Sequence, residues 1–172
     1  TMDAKLAEAV YVGVSTDTGC FRYANTTAHT FAVAAECAKA GASVAHIHVR
    51  EDKEVNGELQ IGYKSMSLKA FTEAVELTRK ACKEAGVDIV INLTTSGGEY
   101  EDHKRLQHLG ALKPEMCSFD PNTLNWANSY IFENSPRFLN LLAQEVVATG
   151  VKPEFEVFDT GHIDSVMYYV NK

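Results

Sequence analysis

Short β-branched or apolar runs alternate with helix-length amphipathic segments along the whole of this 172-residue chain, and few folds accommodate that alternation. Residues 3–9 read as a short helix and Val10–Thr16 as a strand ending at the turn Asp17-Thr18-Gly19. A capped helix follows from Thr26 or Thr27 to Gly41. Further strand signals lie at Val44–Val49, Asp88–Thr94, Leu112–Ser118 and Pro153–Phe158. Between them come a polar stretch at 51–64, helices at 67–85, 102–109 and 136–149, a long connection at 119–133, and a last helix at 164–170. The expected fold is α/β, a single domain over 1–172. Its five βα units form a mostly parallel five-stranded sheet with right-handed crossovers, either open and Rossmann-like or a partial TIM barrel. Five units are too few to close an eight-stranded barrel.

Polar residues within the strands refine this. His46 and His48 lie two apart, as do Asn92 and Thr94, Lys113 and Glu115, and Glu154 and Glu156. Side chains alternate across a strand, so each pair points to one face, while Ile47, Val49, Ile91, Leu93, Met116, Phe155 and Val157 serve the other. An unpaired buried charge costs several kcal/mol, roughly, so a polar stripe in a covered sheet is tolerated only when paired or used. A barrel-type interior satisfies that condition, and a site then belongs at the carboxyl ends of the strands.

At those ends His46-Ile47-His48 offers two imidazoles on one face, a pattern suited to zinc or to hydrogen-bonded core histidines. Arg50, Glu115 and Glu156 accompany it. Thr94-Thr95-Ser96-Gly97-Gly98 is either an anion-binding turn, suited to a small-molecule carboxylate or a phosphate, or an ordinary βα connection. Asp17 is a metal ligand or a turn residue; beside His46 and His48 it would complete a three-ligand site. His29, His103 and His108 read as solvated helix residues, and His162 as a cap at the end of the fifth strand. Trp126, Tyr130 and Phe132 pin the long connection to the barrel.

Composition removes other classes of function. Sixteen basic against 23 acidic residues, a formal charge of −7, disfavour nucleic acid. The apolar runs are too short to span a membrane, the first residues lack a signal-peptide layout, and four scattered cysteines suit reduced thiols; the expected setting is cytoplasmic. An open sheet has edges that a homodimer would cover.

From about Ala38 onward the chain resembles the β-keto acid cleavage enzymes. The resemblance rests on Ala38-Lys39-Ala40-Gly41-Ala42, His46-Ile47-His48-Val49-Arg50-Glu51-Asp52, Thr94-Thr95-Ser96-Gly97-Gly98, Leu112-Lys113-Pro114-Glu115-Met116, Asn134-Ser135-Pro136 and Pro153-Glu154-Phe155-Glu156-Val157, in the family's order. It implies a zinc-dependent TIM barrel that condenses a β-keto acid with acetyl-CoA. It also implies metal ligation by His46 and His48, substrate contacts from Thr95, Gly97, Gly98 and Ser118, and Glu156 facing the reacting centre. Residues 1–37, with Tyr11-Val12-Gly13-Val14-Ser15-Thr16-Asp17-Thr18-Gly19-Cys20, instead resemble the DHH phosphoesterases, in which the aspartate at Asp17 would ligate manganese.

Two partial resemblances lead to the expectation of an engineered chimeric scaffold without evolved catalytic activity. Its remnant would be Glu156, with weak zinc binding at His46 and His48, because the family's third zinc ligand and later strands are missing and catalytic zinc takes three protein ligands. The alternative is zinc-dependent β-keto acid cleavage, completed by oligomerisation.

Overall fold

The computed structural model describes residues 35–172. The expected first helix, the strand Val10–Thr16, Asp17 and His29 lie outside the described residues. The chain divides into two compact units, Thr1–Ile91 and Asn92–Lys172, with the division inside a strand.

In the first unit residues 35–39 are helical, followed by β1 (Val44–Ile47), β2 (Arg50–Val55), β3 (Glu58–Lys64), α1 (Leu68–Ala85) and the start of β4 (Val90–Leu93). The polar stretch at 51–64 belongs to an antiparallel hairpin pairing Arg50 with Lys64 and Val55 with Glu58. Asn56 and Gly57, both at positive φ, form its turn. Its side chains are mostly exposed and charged, so neither apolar periodicity nor β-branching marks it. The hydroxyl of Ser67 caps α1 by accepting from the Ala70 N–H, and Gly86 ends it at φ 69°. Phe71 and Cys82 of α1 are buried, as are Ile47, Val49, Ile89 and Ile91.

The second unit contains α2 (Asp102–Leu112), β5 (Met116–Phe119), the short hairpin β6 (Leu124–Trp126) and β7 (Tyr130–Phe132), α3 (Pro136–Thr149), β8 (Lys152–Phe155) and α4 (Thr160–Val170). Ser135 caps α3, with Pro136 in its first turn and Gly150 at its end, as the sequence leads one to expect. The fourth expected strand begins later than its apolar signal. Leu112 ends α2 and Lys113 caps it in the left-handed region at φ 46°. Lys113 and Glu115 are therefore exposed and lie before β5, not in the polar stripe. Val157 also falls outside its strand and is 48% exposed. The core gathers Leu109, Cys117, Phe119, Phe138, Leu139, Leu142 and Val151, so helices α2 and α3 cover the apolar faces of β5 and β8.

The principal sheet runs β1-β4-β5-β8. Parallel register is set by Asn92 opposite Met116 and by Met116 to Phe119 opposite Lys152 to Phe155. Strand order follows chain order without reversal, so the described strands contain no doubly-wound switch point, and the partial-barrel alternative is the one that fits. Four parallel strands are described where five were expected.

Candidate active site

In the first unit the two imidazoles that end β1 stack on one face, ring centroids 4.9 Å apart. Both are half-buried. Burial, then the neighbouring His46 and Arg50, push the His48 pKa down to about 3. His48 is thus a neutral imidazole at neutral pH, the protonation state a metal ligand requires. The donor set therefore fits two positions of a zinc ion. Arg50 turns toward the hairpin, where its guanidinium donates to the Gly62 carbonyl at 3.2 Å.

In the second unit the polar faces of β4, β5 and β8 form one buried layer. Asn92 and Thr94 on β4 and its end, and Ser118 and Asp120 on β5 and its end, are each at most 2% exposed. The Asn92 amide donates to the Glu154 carboxylate. Ser118 lies opposite Glu154 in the register, and the Glu156 N–H donates to the Phe119 carbonyl at 3.1 Å. Continuing that register places Asp120 beside Glu156. Burial raises both carboxyls, Asp120 to about 6 and Glu156 to about 8, and for Glu156 the adjacent Asp120 and Glu154 charges add to the rise. Arg105 acts in the opposite direction on Asp120. The pair shares a proton near neutral pH and is able to give or take one there.

The turn after β4 is built mainly by internal bonds. The Thr95 N–H donates to the Ser118 hydroxyl at 2.9 Å and the Thr95 hydroxyl donates to the Ser118 carbonyl at 3.0 Å. The Ser96 N–H donates to the Thr94 hydroxyl at 3.1 Å, and the Ser96 hydroxyl lies 3.5 Å from the Asp120 carboxylate. Gly97 is buried. Gly98 packs so closely on Glu133 that a Cβ would stand 3.0 Å from its backbone N and O, which explains the glycine. The structure thus brings Thr95, Ser118, Gly97, Gly98 and Glu156 into one unit at the strand ends.

Several residues depart from expectation. His108 is fully buried in α2, not solvated, and burial lowers its pKa to about 4. His103 is solvated, its side chain 70% exposed. His162 is buried at the start of α4. Its Nδ1 accepts from the Phe158 N–H, and its own N–H donates to the capping Asp159. Trp126 of the β6–β7 hairpin touches Phe132 and Phe158 by ring edges yet stays 41% exposed. Cys37, Cys82 and Cys117 are buried free thiols. Asp120 and Arg105 were not singled out in the sequence. Asp120 carries a signal all the same, because Ser118 and Asp120 repeat the two-residue polar spacing just where β5 ends. An open groove of about 610 Å³ is lined by the start of α2 and by α3, including Asp102, His103, Arg137 and Glu145, and contains none of the strand-end residues.

The family model for beta-keto acid cleavage enzymes matches residues 25–172. A 3-keto-5-aminohexanoate cleavage enzyme of Acetoanaerobium sticklandii is 37% identical over 134 residues, covering 77% of this chain and 44% of the relative. A 3-dehydrocarnitine:acetyl-CoA trimethylamine transferase of Rhizobium meliloti is 33% identical over 151 residues, covering 76% of this chain and 47% of the relative. The chain thus spans less than half the length of these relatives. A solved ternary complex of ObcA with a C4-CoA adduct and oxalate shares the fold, with a TM-score of 0.65 at 22% identity over 84% of this chain and 33% of that one. These matches overturn the expectation of an inactive engineered chimera: the family match begins at residue 25, inside the segment assigned to a phosphoesterase, and the phosphoesterase reading of residues 1–37 finds no support in them. No described helix is long and apolar enough to cross a membrane. The chain belongs to the beta-keto acid cleavage enzyme family.

Proposed function

We propose that this chain carries the zinc-binding and substrate-positioning strands of an enzyme that cleaves a β-keto acid against acetyl-CoA. The acyl group R–CO of the β-keto acid passes to CoA, and the two-carbon acid left behind takes the acetyl group, giving acetoacetate. Zinc held by His46 and His48, when bound, would polarise the keto oxygen of the substrate. The Thr94–Gly98 turn with Ser118 receives the carboxylate of the β-keto acid, and Glu156 with Asp120 holds the proton that moves as carbon–carbon bonds form and break. The observation that carries the reading is the stacked, face-sharing histidine pair at the end of β1, with His48 neutral, in a chain of this family.

The domain arrangement remains a single α/β layer of βα units in this proposal, with the rest of the site supplied by a second copy or by further strands. The partner is a small carboxylic acid rather than nucleic acid or a membrane, and the setting is cytoplasmic. Calorimetric zinc titration of the parent chain against His46→Ala and His48→Ala tests it, together with acetoacetate formation from a β-keto acid and acetyl-CoA. Zinc affinity falling at least tenfold in each variant supports the assignment. Zinc bound equally well by the double variant refutes it, whatever the turnover.

A further inference from the structure

We infer that Arg105 is a positioning residue: from α2 its guanidinium ties the Thr94–Gly98 turn to the segment 133–134 and so fixes the donors that meet the substrate carboxylate. The inference rests on the proposed function for the identity of that ligand, and on geometry for everything else. Arg105 is 2% exposed. Its Nε donates to the Thr95 carbonyl at 2.9 Å, one terminal nitrogen to the Glu133 carbonyl at 3.2 Å, and the other to the Asn134 side-chain oxygen at 2.6 Å. Its flat face lies 3.4 Å from the centre of the Phe138 ring. Each of the three guanidinium nitrogens is engaged.

The partners are themselves anchored. Asn134 takes a bond from its own N–H to the Thr123 hydroxyl at 2.8 Å and reaches the Asn122 carbonyl with its amide at 3.3 Å. Gly98 sits against the Glu133 backbone. His108, three residues along α2, is fully buried on the same side of the helix. Arg105 of α2 therefore holds the turn after β4 at Thr95, and through it the connections that follow β5 and precede α3 are joined to that turn. A helix core position is an expensive place for a cation unless its donors are all used. A lysine has all its donors on one nitrogen and no planar fork, so it cannot reproduce bonds that leave from three separate nitrogens. With each of its three nitrogens bonded to the protein and the side chain buried, Arg105 acts through the turn.

Peptide-level amide exchange and acetoacetate calorimetry in the presence of zinc, on the parent chain, Arg105→Lys and a surface control His103→Ala, test this. We expect Arg105→Lys to raise exchange at 94–98 and 133–134 at least tenfold while the core around Cys117 and Leu142 stays within twofold. We expect its acetoacetate affinity to fall at least tenfold and the control to change neither. Parent-like exchange at 94–98 in folded Arg105→Lys, or an equal rise throughout the core, overturns the inference. If Arg105→Lys does not fold, Asn134→Ala, which leaves Arg105 two of its three bonds, is held to the same outcomes; failure of both to fold makes Arg105 a core element and also overturns it. A parent chain that binds no acetoacetate refutes the substrate reading, while exchange still decides the role of Arg105.

Discussion

Replacing Glu156 by Gln should make the chain more stable at alkaline pH, and the size of the gain follows from its surroundings. Burial and the Asp120 and Glu154 charges raise the Glu156 carboxyl from 4.5 to about 8. A carboxyl whose folded pKa lies above its unfolded one keeps its proton longer in the folded chain. Its stabilising contribution is therefore complete below about pH 4.5 and is lost as the pH climbs toward 8. Between pH 5 and pH 8 the loss from this one group is about 3 kcal/mol. Asp120, raised from 3.8 to about 6, adds in the same direction over the lower part of that range. Glutamine has the shape of the protonated acid and cannot ionise. Urea unfolding in EDTA at pH 5, 6, 7 and 8 should show the two proteins within about 1 kcal/mol of each other at pH 5. At pH 8 the variant should be ahead by about 3 kcal/mol. Parallel stability curves for parent and variant would refute the buried, proton-sharing pair.

Three further outcomes follow from single contacts. Gly98→Ala forces a Cβ to 3.0 Å from the Glu133 backbone, and thermal unfolding should register a loss of about 1–3 kcal/mol. Ser135→Ala removes the hydroxyl that accepts from the Phe138 N–H, which should cost about 1 kcal/mol in urea unfolding. Lys113→Gly should raise the melting temperature, because Lys113 caps α2 at φ 46°, where glycine carries no steric penalty and lysine does, a gain of about 0.5–1 kcal/mol.

The fold was legible where local chemistry and tertiary demand coincide. Ser67 and Gly86 bracket α1, and Ser135, Pro136 and Gly150 bracket α3, because orphan backbone groups at helix ends have few side-chain solutions. Strand limits were legible only from their buried positions. Leu112 continues an apolar signal into what looks like β5, yet it completes α2, and the left-handed Lys113 that separates them carries no sequence mark of its own. The hairpin Arg50–Val55 with Glu58–Lys64 was hidden for a different reason. Its pairing is held by backbone bonds and by polar ties such as the Gly62 N–H to the Asp52 carboxylate at 2.9 Å, so it needs no apolar face.

The site divides along the same line. Paired polar residues inside strands announce themselves, since a covered sheet tolerates them only with a use or a partner, and that argument found His46, His48, Asn92, Thr94, Glu154 and Glu156. It could not find Arg105. A cation on an amphipathic helix among Asp102, His103 and Lys104 looks like one more solvated charge, and its meaning lies in three acceptors 10, 28 and 29 residues away in sequence. His108 departs from expectation for the same reason, because the buried side of α2 carries Arg105 and His108 beside Leu109. The Thr95 carbonyl at the end of β4 faces the helix and accepts from Arg105, and an arginine and a histidine three apart lie on its buried side. In an enzyme whose strands end in polar groups, the helix after the strand should thus be read for donors as well as for apolar periodicity.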